Sequence, residues 1–316
     1  MSPTPLLDRR LLVVTGKGGV GKTSVAAALA TLAASEGRRT LVCDVDGRGD
    51  LASYLEVGEL VFEPRRVQPG LFAMAMDTEK SLEEYLRIFV RIPLLTRIGP
   101  LARVFDFVAT AAPGVREVLT MGKLAYEVRE NNYDLVVVDA PATGHVVGQL
   151  SAPAAIRELV RFGMVREQTD WMLELLTDPA VTGTVIVATP EEMPVTETLE
   201  LAERLDDETE VDLAAVVVNR VLPELFGRGE EEIFEELREP AATRLLVGSV
   251  GEGVTSVLDA AALAVALRRS RARHLVTLRE GLQPGVGVVY LPELFMRVHG
   301  RRTTNQLAEA LGEELL

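Results

Sequence analysis

Short apolar runs, each followed by a stretch with helical spacing, organise the chain. Leu11 to Val14, Thr40 to Val45, Leu135 to Val138, Thr184 to Ala188, Ala214 to Val218 and Gly287 to Leu291 are rich in β-branched residues and carry few polar positions. Such runs lack the polar–apolar alternation of a half-exposed strand, so they predict strands buried on both faces. Strands separated by helical patterns run parallel, which predicts an α/β, doubly wound, mostly parallel sheet. Leu71 to Met76 adds a candidate edge strand, and Thr255 to Leu282 reads as a long helix with an Arg-rich middle. Two segments, about 81–112 and about 151–178, break the alternation. Both are helical in pattern with proline breaks, and together they predict a helical subdomain beside the sheet. With no internal repeat, residues 1–316 read as one α/β domain carrying these inserts.

The first strand leads into Gly16-Lys17-Gly18-Gly19-Val20-Gly21-Lys22-Thr23, ahead of an Ala-rich helix expected to begin near Val25. Glycines let backbone N–H groups turn inward around phosphate oxygens, and the start of the helix attracts the same charge. Gly16, Gly18, Gly19, Val20, Gly21, Lys22, Thr23 and Ser24 are therefore the candidate nucleotide cradle. Lys22 is expected to reach the β- and γ-phosphates and Thr23 to ligate Mg²⁺, which makes ATP and Mg²⁺ the expected cofactors. Phosphoryl transfer needs an oriented water and neutralised charge more than covalent chemistry. Asp44 and Asp46, at the end of the second strand, are the candidates to orient that water, and Asp50 reads as the N-cap of the helix that follows. Asp139 closes the run Leu135-Val136-Val137-Val138, where a carboxylate would hold Mg²⁺ directly or through water.

Composition narrows the partners. Lys and Arg total 33 against 47 Asp and Glu, a formal net charge of -14, which argues against non-specific binding to nucleic acid or to an anionic membrane. The single cysteine, Cys43, rules out an intrachain disulfide and a cysteine-based metal site within one subunit. No apolar run approaches the ~18 residues of a membrane span, and Leu11 to Val14 is too short for a signal peptide, so the expected location is cytoplasmic.

The lysine-bearing loop resembles the signature of the deviant Walker A ATPases, a group that includes chromosome- and division-site-positioning ATPases, nitrogenase iron protein and arsenical-pump ATPases. By that resemblance Lys17 reaches across a dimer interface to the partner's nucleotide, and Asp46, the second Asp of an Asp-x-Asp pair, is the functional carboxylate, serving the water and the metal site. Lys17, Lys22 and Asp46 are then the catalytic candidates, and Thr23, Asp46 and Asp139 the metal set. Asp139-Ala140-Pro141-Ala142-Thr143-Gly144-His145 is similar to the Asp-Thr-Ala-Pro-Thr-Gly-His switch of the arsenical pump ATPase family, which includes the eukaryotic guided-entry factor for tail-anchored proteins. Pro113-Gly114, Ala188-Thr189-Pro190-Glu191-Glu192, Val217-Val218-Asn219-Arg220 and Leu291-Pro292-Glu293-Leu294-Phe295 extend the likeness over nearly the whole chain. It implies that Gly144 senses the γ-phosphate and that Asn219 and Pro292 contact adenine. For Asn219, a buried polar cap is the competing reading.

Three departures stand out. The first switch reads Asp46-Gly47-Arg48-Gly49 instead of Asp-Pro-Ala-His, the arsenite-ligand cysteines have no counterpart, and no Cys-x-x-Cys pair is present to clamp a dimer through zinc. They resemble a bacterial, actinobacteria-like branch. The resemblance implies an ATP-driven switch, paired with itself or with a paralogue, that acts on a hydrophobic client or membrane partner. Between Tyr85 and Val108, Arg87, Arg91, Arg97 and Arg103 lie among Leu, Ile, Val and Phe, which reads either as core helices with outward arginines or as a nucleotide-gated groove. Two alternatives are a partitioning or division-site ATPase, disfavoured by the acidic C-terminal stretch from Gln306 to Glu314, and an ATP-gated binding module with negligible turnover. An iron-protein role is excluded by a lone cysteine inside a strand.

Overall fold

The computed structural model describes residues 5–47, 50–90, 114–160, 162–296 and 299–315. Strands β1 (Leu11–Gly16), β2 (Thr40–Asp44), β3 (Arg65–Gln68), β4 (Leu71–Ala75), β5 (Leu135–Asp139), β6 (Thr182–Ala188), β7 (Leu213–Val221) and β8 (Gly287–Pro292) form one sheet, in the order β3-β4-β2-β5-β1-β6-β7-β8. All pair in parallel except β3, which runs antiparallel to β4. The apolar runs β1, β2, β5 and β6 are buried along their whole length, as expected of strands covered on both faces. β4 is not at the edge. Arg65–Gln68 folds back on it across Gly70, whose φ of +77° suits the tight turn. The exposed arginines of β3 are the kind of side chain that protects a free sheet edge.

One face of the sheet is covered by α1 (Lys22–Ser35), α2 (Asp50–Leu55) and α11 (Arg301–Leu315). Helix α1 is buried from Ser24 to Ala34, and its alanines let it lie close to both the sheet and α11, which contributes Leu307, Ala308 and Leu311. The helix starts three residues before the expected Val25, because Gly21 in the left-handed region caps it. The opposite face carries α4 (Val115–Arg129), α5 (Thr143–Leu159), α7 (Glu192–Glu208) and the end of α10 (Gly253–Gly281), packed on Leu11, Val13, Val136, Val138, Ile186 and Val216. Helices α8 (Arg228–Leu237) and α9 (Pro240–Val250) precede α10 and bury little. No described helix is long and apolar enough to cross a membrane.

Helix α3 (Thr78–Tyr85), continued by a π-helical turn over Leu86–Val90, packs on α4, while α5 leads to α6 (Met164–Thr177), which packs on both α4 and α5. Of the two inserts expected from sequence, residues 91–112 lie outside the described residues, with Arg91, Arg97 and Arg103 among them. The second spans the end of α5 and all of α6. Between these helices lies an apolar cavity of about 220 Å³ lined by Leu82, Tyr85, Ile88, Val118, Trp171 and Met172. Lys123 lies at its border, bonded to Glu84 at 2.6 Å and Glu127 at 2.7 Å, with Glu127 also accepting from Asn132. Burial works against the ammonium, but the hydrogen bonds it donates to Glu127 and Glu84 outweigh it and hold Lys123 above the ordinary lysine pKa. Removing the cation leaves two carboxylates facing each other in a poorly hydrated site. Lys123→Ala is expected to lower stability in urea unfolding by ~3–5 kcal/mol. A loss under ~1 kcal/mol would show that the triad is solvated and carries little of the packing of these helices.

Candidate ATP site

Parallel pairing sets Val14 of β1 level with Asp139 of β5, and Asp139 level with Asp44 of β2. Three strand ends therefore share one rim of the sheet, at its topological switch point, where open α/β sheets bind ligands. β1 turns there into the glycine loop. A side chain at Gly16 would run into the Val187 carbonyl of β6, and one at Gly21 into the Asn219 amide of β7. Gly21 also has φ +97°. These two glycines are what allow the loop to lie against its neighbours. Gly18 and Gly19 are exposed with open space around them, whereas Val20 is buried and roots the loop in the core. Thr15 ties β1 to the segment after β5 by donating to the Pro141 carbonyl at 2.9 Å.

Lys22, Thr23 and Ser24 form the first turn of α1, at the positive end of its dipole. The Ser24 hydroxyl is engaged with the Gly21 carbonyl at 2.8 Å, and Lys22 Nζ lies 3.3 Å from the Lys17 carbonyl. Asp139 is buried with Oδ1 lacking a hydrogen-bond partner, and Thr23 is near enough to favour its charged form. Burial raises the Asp139 carboxyl to about 7, Thr23 and the Lys22 charge pull it down, and Asp44 and Asp46 push it up. A carboxylate so desolvated, with an unbonded oxygen beside a threonine hydroxyl, has the donor set for a hard cation. Mg²⁺ takes only one or two protein oxygens when phosphates supply others. Thr23 and Asp139 fit that requirement.

The two aspartates after β2 separate clearly. Asp44 is buried and its Oδ1 accepts the Gly47 N–H at 2.8 Å, a local turn that sends the chain outward and leaves Asp46 exposed at the rim. Arg48 and Gly49 lie outside the described residues, and Asp50 opens α2. Gly144 and His145 are both exposed in the first turn of α5, just beyond Asp139. Asn219 is buried at the end of β7, where its Nδ2 donates to the Val20 carbonyl at 2.9 Å and its Oδ1 accepts the Arg220 N–H at 3.0 Å. Pro292 ends β8 next to Val221 and is exposed. Sequence reasoning missed Glu197 of α7, whose Oε1 lies 2.5 Å from Lys17 Nζ. No motif marks it, since it stands 180 residues away in the chain. Cys43 is buried in β2, and burial raises its thiol far out of the reactive range.

A model of the family described as anion-transporting ATPase matches residues 9–172 and 161–239. The chain belongs to the anion-transporting ATPase family. Membership makes it an ATPase. Among relatives, the ATPase BagA of Mycobacterium tuberculosis is 35% identical over 232 residues, covering 70% of this chain and 68% of that protein. A putative arsenical pump-driving ATPase of Halobacterium salinarum is 29% identical over 300 residues, 87% of this chain and 44% of the relative. An ATPase ASNA1 homolog of Entamoeba dispar is 25% identical over 253 residues, 66% of this chain and 76% of the relative. The mycobacterial match agrees with the branch suggested by the switch and cysteine departures.

The packing of this ATPase loop makes a sharp demand on Gly21. Gly21→Ala meets Asn219 and adopts a left-handed backbone that costs ~1–2 kcal/mol for a non-glycine residue. It is expected to weaken MgATP binding at least about tenfold by calorimetry, and to do less harm in an Asn219→Ala background, where the side chain it strikes is gone. Equal losses in both backgrounds would mean that Asn219 does not brace the loop.

Proposed function

We propose that the chain hydrolyses MgATP at this rim and works as one half of a nucleotide-switched dimer that drives or regulates a hydrophobic client or membrane partner. The reading rests above all on one observation: Asp139, buried at the end of β5 level with the start of the glycine loop, keeps one carboxylate oxygen without a hydrogen-bond partner. In this reading the backbone from Gly16 to Ser24 cradles the phosphates, Lys22 neutralises the β/γ oxygens, and Thr23 and Asp139 hold the metal. Bound Mg²⁺ supplies charge neutralisation on the phosphates. Asp46 orients the attacking water and completes the metal site through a shared water, and its exposure at the rim leaves room for one. Gly144 follows the γ-phosphate through its backbone. Asn219 and Pro292 flank the adenine, and since an amide nitrogen carries two hydrogens, the bond from Asn219 to Val20 leaves one for a base.

Lys17 acts across the interface, on a copy of the same chain or on a paralogue. Its place in the loop beside the exposed Gly18 and Gly19 supports this. We assign client engagement to α3, α5 and α6, as a helical subdomain within one domain of 1–316, the expected insert residues 91–112 lying outside the described residues. The support is the apolar cavity between those helices and two exposed residues at the α5–α6 junction, Leu159 at 78% and Phe162 at 85%. Of the apolar residues that would line the client surface, Ile92, Leu95, Phe105 and Val108 lie outside the described residues. The net charge of -14 supports a reading without nucleic acid, and a cytoplasmic location goes with it. A division-site role would want a free cationic amphipathic helix, whereas the apolar face of α11 is buried on α1. A binding module with negligible turnover differs from this proposal in one measurable respect, which is steady phosphate release.

Two expected outcomes test the proposal. Lys22→Ala loses a charge-assisted bond to phosphate and should bind MgATP ~10–100-fold more weakly by calorimetry, and unchanged affinity would remove the phosphate-binding assignment. Lys17→Ala should bind ATP but neither pair nor turn over, as should pairs containing only Asp46→Asn be slow. Mixing the two variants should restore phosphate release, because one subunit supplies the lysine and the other the aspartate. Mixed dimers seen by light scattering without any recovery would refute the action of Lys17 in trans.

A further inference from the structure

Lys17 has glycine on both sides, so no neighbouring side chain in the loop packs against its stem. Among the described residues its ammonium has one charged partner, Glu197 Oε1 at 2.5 Å, and each side chain of the pair is only 29% exposed. Glu197 belongs to the second turn of α7, a helix fixed to the sheet by Val195, Thr198, Leu201 and Leu205, all at 2% exposure or less. The carboxylate therefore stands on a rigid element, while the lysine stands on a loop with glycine freedom. The stiff partner decides where the ammonium rests.

We propose that Glu197 is the positioning residue of Lys17, holding its ammonium on its own subunit and setting how readily the lysine can be given to a partner's nucleotide. This rests on the reading that Lys17 acts across an interface. One ammonium cannot sit on its own α7 carboxylate and on a phosphate of the opposite subunit together. Pairing then starts from the fraction of molecules in which the cis contact is open, and the apparent pairing affinity is reduced by that fraction. Glu197→Gln keeps the length of the side chain and removes the charge, so it raises the open fraction without taking anything from the nucleotide cradle.

The first arm of the test needs no partner. The chain has four lysines, Lys17, Lys22, Lys80 and Lys123, so acylation by a water-soluble amine reagent can be followed at each by peptide mass spectrometry. In protein without nucleotide, Lys17 should react ~3–10-fold faster in Glu197→Gln than in wild type when both are scaled to Lys80, and salt should speed only the wild type. Equal rates would overturn the cis contact. The second arm follows phosphate release and light scattering in MgATP against protein concentration. Glu197→Gln should reach half-maximal turnover at ~3–10-fold lower protein concentration. In a Lys17→Ala background it should change nothing, and Glu200→Gln, exposed on the same helix, should behave as wild type. Lower turnover at unchanged pairing, the same shift without Lys17, or no MgATP-driven pairing of like subunits in any variant would overturn the proposal. If Lys17→Ala itself pairs and hydrolyses like wild type, the reading of Lys17 in trans fails, while the labelling arm still reports on the contact.

Discussion

The register of three parallel strands is the constraint on which the site depends. Val14, Asp139 and Asp44 are level across β1, β5 and β2, so the glycine loop, one buried carboxylate and the turn after β2 begin from the same rim. Each strand is buried on both faces, and a one-residue slip of β5 would exchange Asp139 for Val138 at that rim and drive a carboxylate into the apolar layer under α4. The hydrophobic pattern that builds the sheet thus also positions the charge. Loop packing follows from the same frame, with Gly16 against β6 and Gly21 against the end of β7.

Electrostatics at the rim leave one buried carboxylate poorly compensated. Asp139 is held where burial disfavours its charge, with Asp44 and Asp46 close enough to disfavour it further. Thr23 and Lys22 offset part of that penalty. An anion kept under such conditions is a strong ligand, because a metal recovers the desolvation free energy already incurred by folding. Asp44 has a different task. Its bond to the Gly47 N–H shapes the turn that leaves Asp46 at the surface, so two carboxylates two residues apart have unlike surroundings.

The strands were legible because a continuous β-branched run has few other structural solutions, and the loop because its glycines are dictated by sterics that any sequence must obey. The position of β4 was misjudged as an edge. Arg65 to Gln68 is too short and too polar to signal a strand, and only pairing across the Gly70 turn reveals it. Helix α1 starts earlier than its alanines suggest, since the cap is Gly21 and carries no side-chain signal. Glu197 was invisible for a deeper reason. An ion pair 180 residues apart leaves no local pattern, and one more glutamate in an acidic chain attracts no notice. Asn219 was noticed for the right strand end, yet its bond to Val20 depends on how β7 lies beside the loop.

The central claim is that the buried carboxylate and the glycine loop together make a site for ATP with its metal. Calorimetric titration of the wild type with ATP, in Mg²⁺ and again in excess chelator, tests it directly, with Asp139→Asn run alongside. Mg²⁺ is expected to tighten ATP binding at least about tenfold in the wild type, and most of this gain should disappear in Asp139→Asn. Equal affinity with and without Mg²⁺, or a gain that survives the substitution intact, would contradict it.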